Sequence, residues 1–265
     1  MTAAADFATV AVLCDIHGNL PALEAVLAEL EDEPPGAVVI GGDVAAGPQP
    51  VEVLERLRAL PWPVHYLRGN ADRFVVMGFD GTIPAQLLEH PLFAADAWTA
   101  TFLSRADRDF LDGLPPLLRF RVGELGDVLF VHATARSDEE RVTVFTPEER
   151  LARILAEAGA PLVVGGHTHR QFDRSAGGRR MVNAGSVGRP YEHEPGAYWL
   201  RLGPGVELRR TSYDTAAASA RFHELGYPYA DGMLGPVDAD AVARSYEQSS
   251  GKPVSPDSLI EAEPA

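Results

Sequence analysis

The chain has 265 residues, of which 46% are hydrophobic and 23% charged, and its formal net charge is −15 at pH 7. This length and composition suffice for one large domain with a hydrophobic core, or for one domain with an insert, and exclude a disordered body. The negative charge disfavours non-specific binding to long DNA or RNA, because such a surface repels phosphate backbones.

The sequence shows no sign of secretion or of a membrane anchor. Its single cysteine, Cys14, cannot form an intramolecular disulfide and lies among apolar residues, so we expect it in the core. The N-terminal residues lack a basic region followed by a long apolar segment, and no stretch is long and apolar enough to span a bilayer. We therefore expect a soluble, cytoplasmic protein without a membrane partner.

The first predicted element is a buried strand that ends in a polar turn. Residues 9–14 form an apolar run rich in strand formers, and Asp15 and His17 follow it closely. Asn19 is a good N-cap for the next helix, whose leucines recur on one face. A carboxylate and an imidazole at the carboxyl end of a strand can converge on a divalent metal ion.

Two further strand–helix units follow the first. Residues 37–40 form a second buried strand, which reaches Asp43 after two glycines. Residues 64–67 form a third strand, which is followed by Arg68 and Asn70. Three successive units of this kind predict parallel strands joined by right-handed crossovers.

A helical and aromatic segment interrupts this pattern at about residues 73–126. Within it, Ser104 and Asp107 have the spacing of a capping box that opens a short helix. We interpret the segment as an insert that packs beside the sheet near the functional edge. Its aromatic side chains either contact substrate or form a small core of their own, and both readings stay open.

The second half of the chain contains more predicted strands that end in histidine. Residues 128–131 lead to His132, and residues 162–164 lead through two glycines to His167 and His169. Further predicted elements are a helix at about 147–159, a strand and glycine-rich loop at 181–188, a hairpin at 197–202 and 206–211, and helices after 214.

The end of the chain differs in composition from the rest. We expect residues 1–235 to form the main domain and residues 236–265 to form an acidic C-terminal tail. An acidic, helix-like piece ends near Gln248. From residue 249 onward, proline, serine and acidic residues suit either disorder or docking on the body.

Seven candidate metal ligands lie at the ends of predicted strands. If the strands are parallel in one sheet, their carboxyl ends share one edge, where residues distant in sequence meet. Any one histidine alone could be an ordinary core or surface residue, but coincidence is improbable for the whole set. The candidates are Asp15, His17, Asp43, Asn70, His132, His167 and His169.

This ligand set suits two metal ions better than one. Seven protein ligands are too many for one tetrahedral ion, whereas two ions can share a bridge, and the carboxylate of Asp43 can bind both. The mixture of oxygen and nitrogen ligands favours manganese, with iron, zinc, nickel and cobalt as alternatives, and argues against calcium and magnesium.

The order of these residues resembles the five sequence blocks of the calcineurin-like metallophosphoesterase superfamily. The blocks are Asp15-x-His17, Gly42-Asp43, Gly69-Asn70-x-Asp72, His132 and Gly166-His167-Thr168-His169. Loop 183–188 is similar to the loop after the last block in the small prokaryotic phosphodiesterase branch. The resemblance covers about residues 8–212 and implies an α/β fold, a four-layer αββα sandwich, here with a helical insert and a C-terminal helical extension.

The resemblance also implies how the ligands divide between the two metal ions. One ion takes Asp15, His17, Asp43 and His169, and the other takes Asp43, Asn70, His132 and His167. The residues expected to act in catalysis are Asp43, Asn70 and His169. The implied reaction is hydrolysis of a small nucleotide-like or other phosphodiester by a hydroxide that bridges the two ions.

Three further residues are candidate phosphate contacts, namely Asn19, Arg68 and Arg189, since asparagine amides and arginine forks can bind phosphate oxygens. Arg68 could instead pair with Asp72, and Arg189 could be an ordinary surface charge. Asp72 itself could orient a ligand or be a simple acid at a helix N-terminus.

One position departs from the superfamily pattern. Many members carry a histidine directly after the asparagine of the third block, where it is thought to protonate the leaving oxygen, and this chain has Ala71 there. Such general-acid help is typically worth about 10²–10⁴-fold. The phosphodiesterase branch commonly lacks this histidine too, so Ala71 argues against a phosphoprotein phosphatase but not against an enzyme. The alternatives are a phosphomonoesterase, a metal-binding scaffold without activity, and a nuclease, which the acidic charge disfavours.

Overall fold

Two β-sheets organise residues 5–250, the part of the chain that the computed structural model describes. In chain order the strands are β1 (Asp6–Phe7), β2 (Val10–Leu13), β3 (Ala37–Ile40), β4 (Val64–Tyr66), β5 (Leu117–Val122), β6 (Gly126–Val131), β7 (Leu162–Gly165), β8 (Phe172–Ala176), β9 (Arg179–Asn183), β10 (Ala197–Leu202) and β11 (Val206–Thr211). The helices are α1 (Leu20–Asp32), α2 (Pro50–Arg58), α3 (Asn70–Phe79), α4 (Pro91–Ala100), α5 (Arg105–Asp112), α6 (Glu148–Ala158), α7 (Thr215–Glu224), α8 (Ala230–Leu234) and α9 (Ala239–Ser249).

Each of the two sheets contains three parallel strands with antiparallel strands beside them. The five-stranded sheet has the order β11-β10-β2-β3-β4, in which β2, β3 and β4 are parallel and the β10–β11 hairpin is antiparallel. The six-stranded sheet has the order β1-β5-β6-β7-β9-β8, in which β6, β7 and β9 are parallel. The carboxyl ends of β2, β3 and β4 in one sheet, and of β6 and β7 in the other, carry the predicted ligands.

Three hydrophobic clusters separate the layers. Leu13 and Ile40 face α1 and α2 on the outside of the five-stranded sheet. Val12, on the other face of β2, packs in a second cluster with Phe130 of the six-stranded sheet, between the two sheets. A third cluster joins Val163 of the six-stranded sheet to α6 on the far side. The central strands are apolar on both faces because each sheet is covered twice, and the predicted αββα sandwich is confirmed.

The structure corrects two expectations about the strands. The predicted ligands come from strand ends of two facing sheets, not from the edge of one. The segment at 73–126 contains helices α4 and α5, and Ser104 caps α5 as predicted, but its last part is strand β5. That strand alternates exposed Arg121 with buried Phe120 and Val122 and pairs with β6, a period-2 pattern that the helical interpretation overlooked.

The C-terminal part of the described chain is helical and packs on the body. Asp214 caps α7, and Val242 and Tyr246 of α9 pack against Tyr191. The predicted tail at 236–265 therefore contains an ordered helix, while residues 251–265 lie outside the described residues. The division at residue 235 stays a prediction. Among residues 5–250, every helix falls short of the length and apolar character that crossing a membrane requires.

Candidate metal centre

The seven predicted ligands lie on the loops that follow five strands, and the two sheets bring these loops together. Five of them have a left-handed backbone conformation, which non-glycine residues rarely adopt. They are also all of the non-glycine residues with positive φ between residues 5 and 250, namely Asp15, His17, Asp43, His167 and His169. Each such conformation costs of order 1–3 kcal/mol and persists where the surroundings impose it, which is typical of functional sites.

Two glycines let the loops after β3 and β4 approach each other. Gly42 has φ +90°, and a Cβ on it would lie 2.6 Å from the backbone nitrogen of Gly69. A Cβ on Gly69 would lie 2.1 Å from Oδ1 of Asp43. Neither position has room for a side chain, so the glycines allow Asp43 and Asn70 to share one site.

One group of ligands is compact. The candidate ligand atoms of Asp15, His17, Asp43 and His169 all lie within 4.8 Å of one another, and all four residues are buried. Nε2 of His17 lies 3.2 Å from Nε2 of His169 and 3.6 Å from Oδ2 of Asp43. Nε2 of His169 lies 3.5 Å from Oδ1 of Asp15.

The hydrogen bonds of the two histidines aim lone pairs at the same point. Nδ1 of His17 lies 3.1 Å from the Ala46 carbonyl, and Nδ1 of His169 lies 2.6 Å from the Arg189 carbonyl. A carbonyl only accepts, so each Nδ1 carries the proton and, in the neutral ring, each Nε2 presents a lone pair. Burial lowers the pKa of His17 to about 4, so this ring is neutral near pH 7. Two facing lone pairs repel unless a cation lies between them, and metal-binding histidines commonly have this backbone support.

A buried carboxylate oxygen provides a second test of whether these residues fit a metal. Asp15 is fully buried, and its Oδ2 accepts a hydrogen bond from the backbone of His167 at 2.9 Å. Its Oδ1 has no hydrogen-bond partner among the described residues. Leaving a charged oxygen buried without a partner costs several kcal/mol, which a divalent cation would offset. The four-residue group therefore fits a borderline divalent ion bound by oxygen and nitrogen.

The other predicted group surrounds His132. Its Nε2 lies 2.9 Å from Oδ1 of Asn70 and 3.5 Å from Oδ2 of Asp43. Burial alone would lower the pKa of His132, but the carboxylates of Asp43 and Asp15 raise it to about 10. These carboxylates therefore favour a positive charge at this position. The ring of His167 lies 5.1 Å from that of His132, and its Nε2 faces the Glu139 carbonyl, which leaves its Nδ1 as the ligand atom.

The loop after β9 supports both groups from behind. The Asn183 amide donates to the Gly166 carbonyl at 2.6 Å and to the Thr168 hydroxyl at 3.0 Å. The Ser186 hydroxyl donates to the backbone carbonyl of Asp15 at 2.7 Å. The glycine-rich loop singled out in the sequence therefore holds the backbone on either side of the compact group.

Asp72 joins the loops after β3 and β4 instead of pairing with an arginine. Its carboxylate accepts hydrogen bonds from the backbone N–H groups of Asp43 and Val44, both at 2.9 Å, and of Gly69 at 3.0 Å. Burial and the nearby Asp43 raise the pKa of Asp72 to about 6, against the effect of these donors. Asp72 thus fixes the backbone that carries Asp43.

We expect Asp72→Asn to weaken both the fold and the metal centre. The amide group of asparagine would face a backbone N–H, which costs about 1–3 kcal/mol of unfolding free energy. Displacing the support of a ligand typically lowers metal affinity about 10–100-fold. Thermal denaturation and manganese titration would measure the two effects. The matched control is Asp107→Asn, which alters the corresponding capping-box acid of α5 and should lower stability without changing manganese affinity.

A chamber lies over the compact group. On the side of the metal ligands it is lined by His17, Asp43, Asn70, His167 and His169. Facing them are Phe93 and Asp96 of α4, the arginines Arg141 and Arg189, and aromatic residues from the C-terminal helices. Two arginines and several apolar side chains beside a cluster of candidate metal ligands are suited to a phosphoester with an organic arm.

The three predicted phosphate contacts have different positions. Asn19 is fully buried, and its side chain caps α1 and donates to the Gly188 carbonyl at 2.8 Å. Its amide group is therefore used in hydrogen bonds within the fold. Arg68 lines a neighbouring hollow beside His132 and not the chamber. Arg189 lines the chamber and is only 5% exposed, so it is not an ordinary surface charge.

The sequence reasoning missed Arg141. This residue lines the chamber, and its guanidinium lies 4.6 Å from the ring centre of Tyr246. It belongs to a loop between β6 and α6 that has no periodic pattern and no turn motif. The carbonyls of Glu139 and Val142 accept hydrogen bonds from His167 and Thr168 and hold this loop at the site. These contacts are distant in sequence, so no local signal marked Arg141.

A family model and solved structures match the chain. The model of the calcineurin-like phosphoesterase superfamily domain matches residues 9–201. A hypothetical protein from Pyrococcus horikoshii OT3 is 22% identical, with a TM-score of 0.74 over 88% of this chain and 100% of that chain. A metallophosphoesterase from Sphaerobacter thermophilus is 25% identical, with a TM-score of 0.67 over 83% of this chain and 94% of that chain. Comparison with curated protein sequences gave no significant match.

Proposed function

The chain belongs to the calcineurin-like phosphoesterase superfamily, and from this premise we propose that it is a dinuclear, metal-dependent phosphodiesterase that acts on small phosphodiesters. Membership supports a phosphoric ester hydrolase with a small-molecule substrate. The observation that carries the proposal is the buried convergence of the compact Asp15, His17, Asp43 and His169 group at a chamber that two arginines line.

The chain offers ligands for two divalent ions. The first would be held by Asp15, His17, Asp43 and His169, and the second by Asp43, Asn70, His132 and His167. Manganese is our first choice, with iron, zinc, nickel and cobalt as alternatives, because the ligands mix imidazole nitrogen with oxygen. When bound, such ions supply positive charge for the phosphoryl oxygens and lower the pKa of the attacking water.

Residues of the chamber wall would orient the substrate. The guanidinium groups of Arg141 and Arg189 flank the space above the ligands and can bind phosphoryl oxygens that face away from them. Asp43 must stay ionised to bridge two ions. Burial would raise its pKa, but His132, His17 and His167 together hold it well below the usual value.

Within residues 5–250, the chamber offers the leaving group no histidine beyond the proposed metal ligands. Ala71 lines the chamber where many relatives carry a histidine, and in the described chain every histidine of the chamber belongs to the proposed metal set. His193 lines a separate hollow. We therefore assign protonation of the leaving oxygen to water, which favours substrates with a good leaving group.

A matched pair of substrates tests the proposal. Methyl p-nitrophenyl phosphate and p-nitrophenyl phosphate share a leaving group but carry one and two negative charges. Asp96 and Glu139 add buried carboxylates beside Arg141 and Arg189 in the chamber wall, and Glu139 pairs with Arg73. The wall therefore offers little net attraction to a second negative charge on the phosphoryl group. We expect kcat/KM of the manganese-loaded protein to be at least about tenfold higher for the diester, a difference of about 1.4 kcal/mol.

The opposite outcomes identify the alternatives. A higher kcat/KM for the monoester would indicate a phosphomonoesterase. Bound metal without hydrolysis of either compound would indicate a binding scaffold.

A further inference from the structure

The chamber has a roof that comes from outside the superfamily domain. The family match ends at residue 201, yet Tyr227, Met233 and Tyr246 of the following segment line the chamber opposite the proposed ligands. Phe93 of α4 completes the apolar side of this roof. The residues that decide what fits above the metal centre are thus contributed mainly by the C-terminal helices.

Polar contacts at both ends fix helix α9 in place. Near its C-terminus, Glu247 accepts a hydrogen bond from the Thr146 hydroxyl at 2.6 Å and pairs with Arg150 at 2.8 Å. Near its N-terminus, Asp240 pairs with Arg170 at 2.8 Å. Two anchors about two helical turns apart make α9 a fixed wall.

Aromatic stacking connects this wall directly to a proposed metal ligand. The ring of His169 stacks on Tyr191, with ring centres 4.9 Å apart and an interplanar angle of 28°. Tyr191 contacts Tyr246 edge to face, with ring centres 6.2 Å apart. Arg141 also lies over the ring of Tyr246. The Tyr246 side chain therefore contacts both an arginine and an aromatic residue of the site.

The opposite side of the roof is closed by packing between α4 and the segment around α8. Tyr227 and Met233 are buried in one cluster with Ala95 of α4. The ring of Trp98, also on α4, lies 5.4 Å from that of Tyr227. The apolar wall therefore has its own core and does not depend on a ligand for its position.

The space between these side chains is small. Its free volume is about 60 Å³, whereas pockets for drug-sized ligands have about 300–1,000 Å³. A cavity of this volume holds several water molecules. That is the size of a phosphate group with a short arm, and a nucleoside or a second aromatic ring is too large.

We propose that Tyr246, Met233, Tyr227 and Phe93 are specificity-determining residues that restrict this enzyme to phosphodiesters whose second, non-leaving arm is short. The inference rests on the proposed function and narrows its substrate class.

Two pairs of compounds test the restriction, one by binding and one by catalysis. Dimethyl and diphenyl phosphate, titrated calorimetrically into the manganese-loaded protein, differ only in the size of the arms. Methyl p-nitrophenyl and bis(p-nitrophenyl) phosphate share a leaving group and differ in the second arm. We expect the wild type to bind dimethyl phosphate at least about tenfold more tightly and to prefer the methyl substrate at least about 100-fold in kcat/KM.

Opening the roof should remove this preference. Tyr246→Ala and, independently, Met233→Ala should each raise kcat/KM for bis(p-nitrophenyl) phosphate at least about tenfold and allow diphenyl phosphate to bind. The matched control is Val242→Ala, which removes a buried side chain of α9 that does not line the chamber and should leave both preferences unchanged. Thermal denaturation identifies the variants that are folded.

The failure of the inference and that of the proposed function are distinguishable. Equal binding of the two phosphate diesters by the wild type, or preferences that neither roof variant changes, would overturn the restriction even if both substrates are hydrolysed. If binding is size-selective, the roof variants abolish that selectivity and no diester is hydrolysed, the restriction on the second arm would be upheld. The proposed phosphodiesterase activity would then be refuted.

Discussion

Replacing Asp43 by asparagine should lower kcat/KM for methyl p-nitrophenyl phosphate at least about 10³-fold. Charge stabilisation by metal ions is worth several kcal/mol in such reactions, and each 1.4 kcal/mol corresponds to a factor of about ten. Asparagine keeps the oxygen that accepts the Ala71 N–H at 2.8 Å, and it tolerates the positive φ of 51°. The variant therefore removes the carboxylate that we propose as the bridge and leaves the backbone in place.

Metal analysis and thermal denaturation should accompany the activity measurement. We expect fewer than two ions per chain in Asp43→Asn and a melting temperature of the metal-free protein close to that of the wild type. The control is Asp32→Asn, an exposed acid at the end of α1, which should change neither property. Wild-type activity together with full metal content in Asp43→Asn would refute the proposed bridge.

Removing the metal ions with a chelator should abolish hydrolysis and lower the melting temperature by roughly 10 °C. The metal-free centre retains the unpartnered Oδ1 of Asp15 and the facing Nε2 atoms of His17 and His169. A ligand at 1,000 times its Kd stabilises the fold by about 4 kcal/mol, and each kcal/mol shifts the melting temperature of a chain this size by about 2–4 °C. Scanning calorimetry of the apo and manganese-loaded protein measures the shift.

The choice of metal ion provides the control for this experiment. Manganese should restore both activity and melting temperature, whereas magnesium at the same concentration should restore less of either, because it binds imidazole nitrogen poorly. Equal melting temperatures with and without manganese would show that the buried Asp and His side chains are stable without a metal and would contradict the assignment of the centre.

Local sequence signals were sufficient for the elements that begin or end at a recognisable residue. The apolar runs at 37–40 and 64–67 match β3 and β4, and Asn19 and Ser104 cap helices as predicted. Strand β8 was not anticipated, because its polar sequence becomes a strand only by pairing with β9. Such pairing is a property of the partner strand as much as of the segment itself.

The sequence also located some of the predicted site residues correctly and others not. Asp15, His17 and Asp43 follow short apolar strands within a few residues, so strand ends in the sequence located them. Asn19 and Arg68 have side chains of suitable chemistry, but the fold turns one into a cap and directs the other to a neighbouring hollow. A suitable side-chain type was not enough to predict these two phosphate contacts, because it does not determine where the side chain points.

By itself, the sequence determined the strand–helix order and the identity of the candidate ligands, because both depend on residues close together in the chain. Only the tertiary structure decided that the strand ends belong to two facing sheets and that Arg141, Tyr227 and Tyr246 enclose the chamber. Those positions depend on the packing of α9 against a loop that lies about 100 residues away in sequence and on the packing of the segment around α8 against α4. Contacts over such separations leave no periodic trace in the chain.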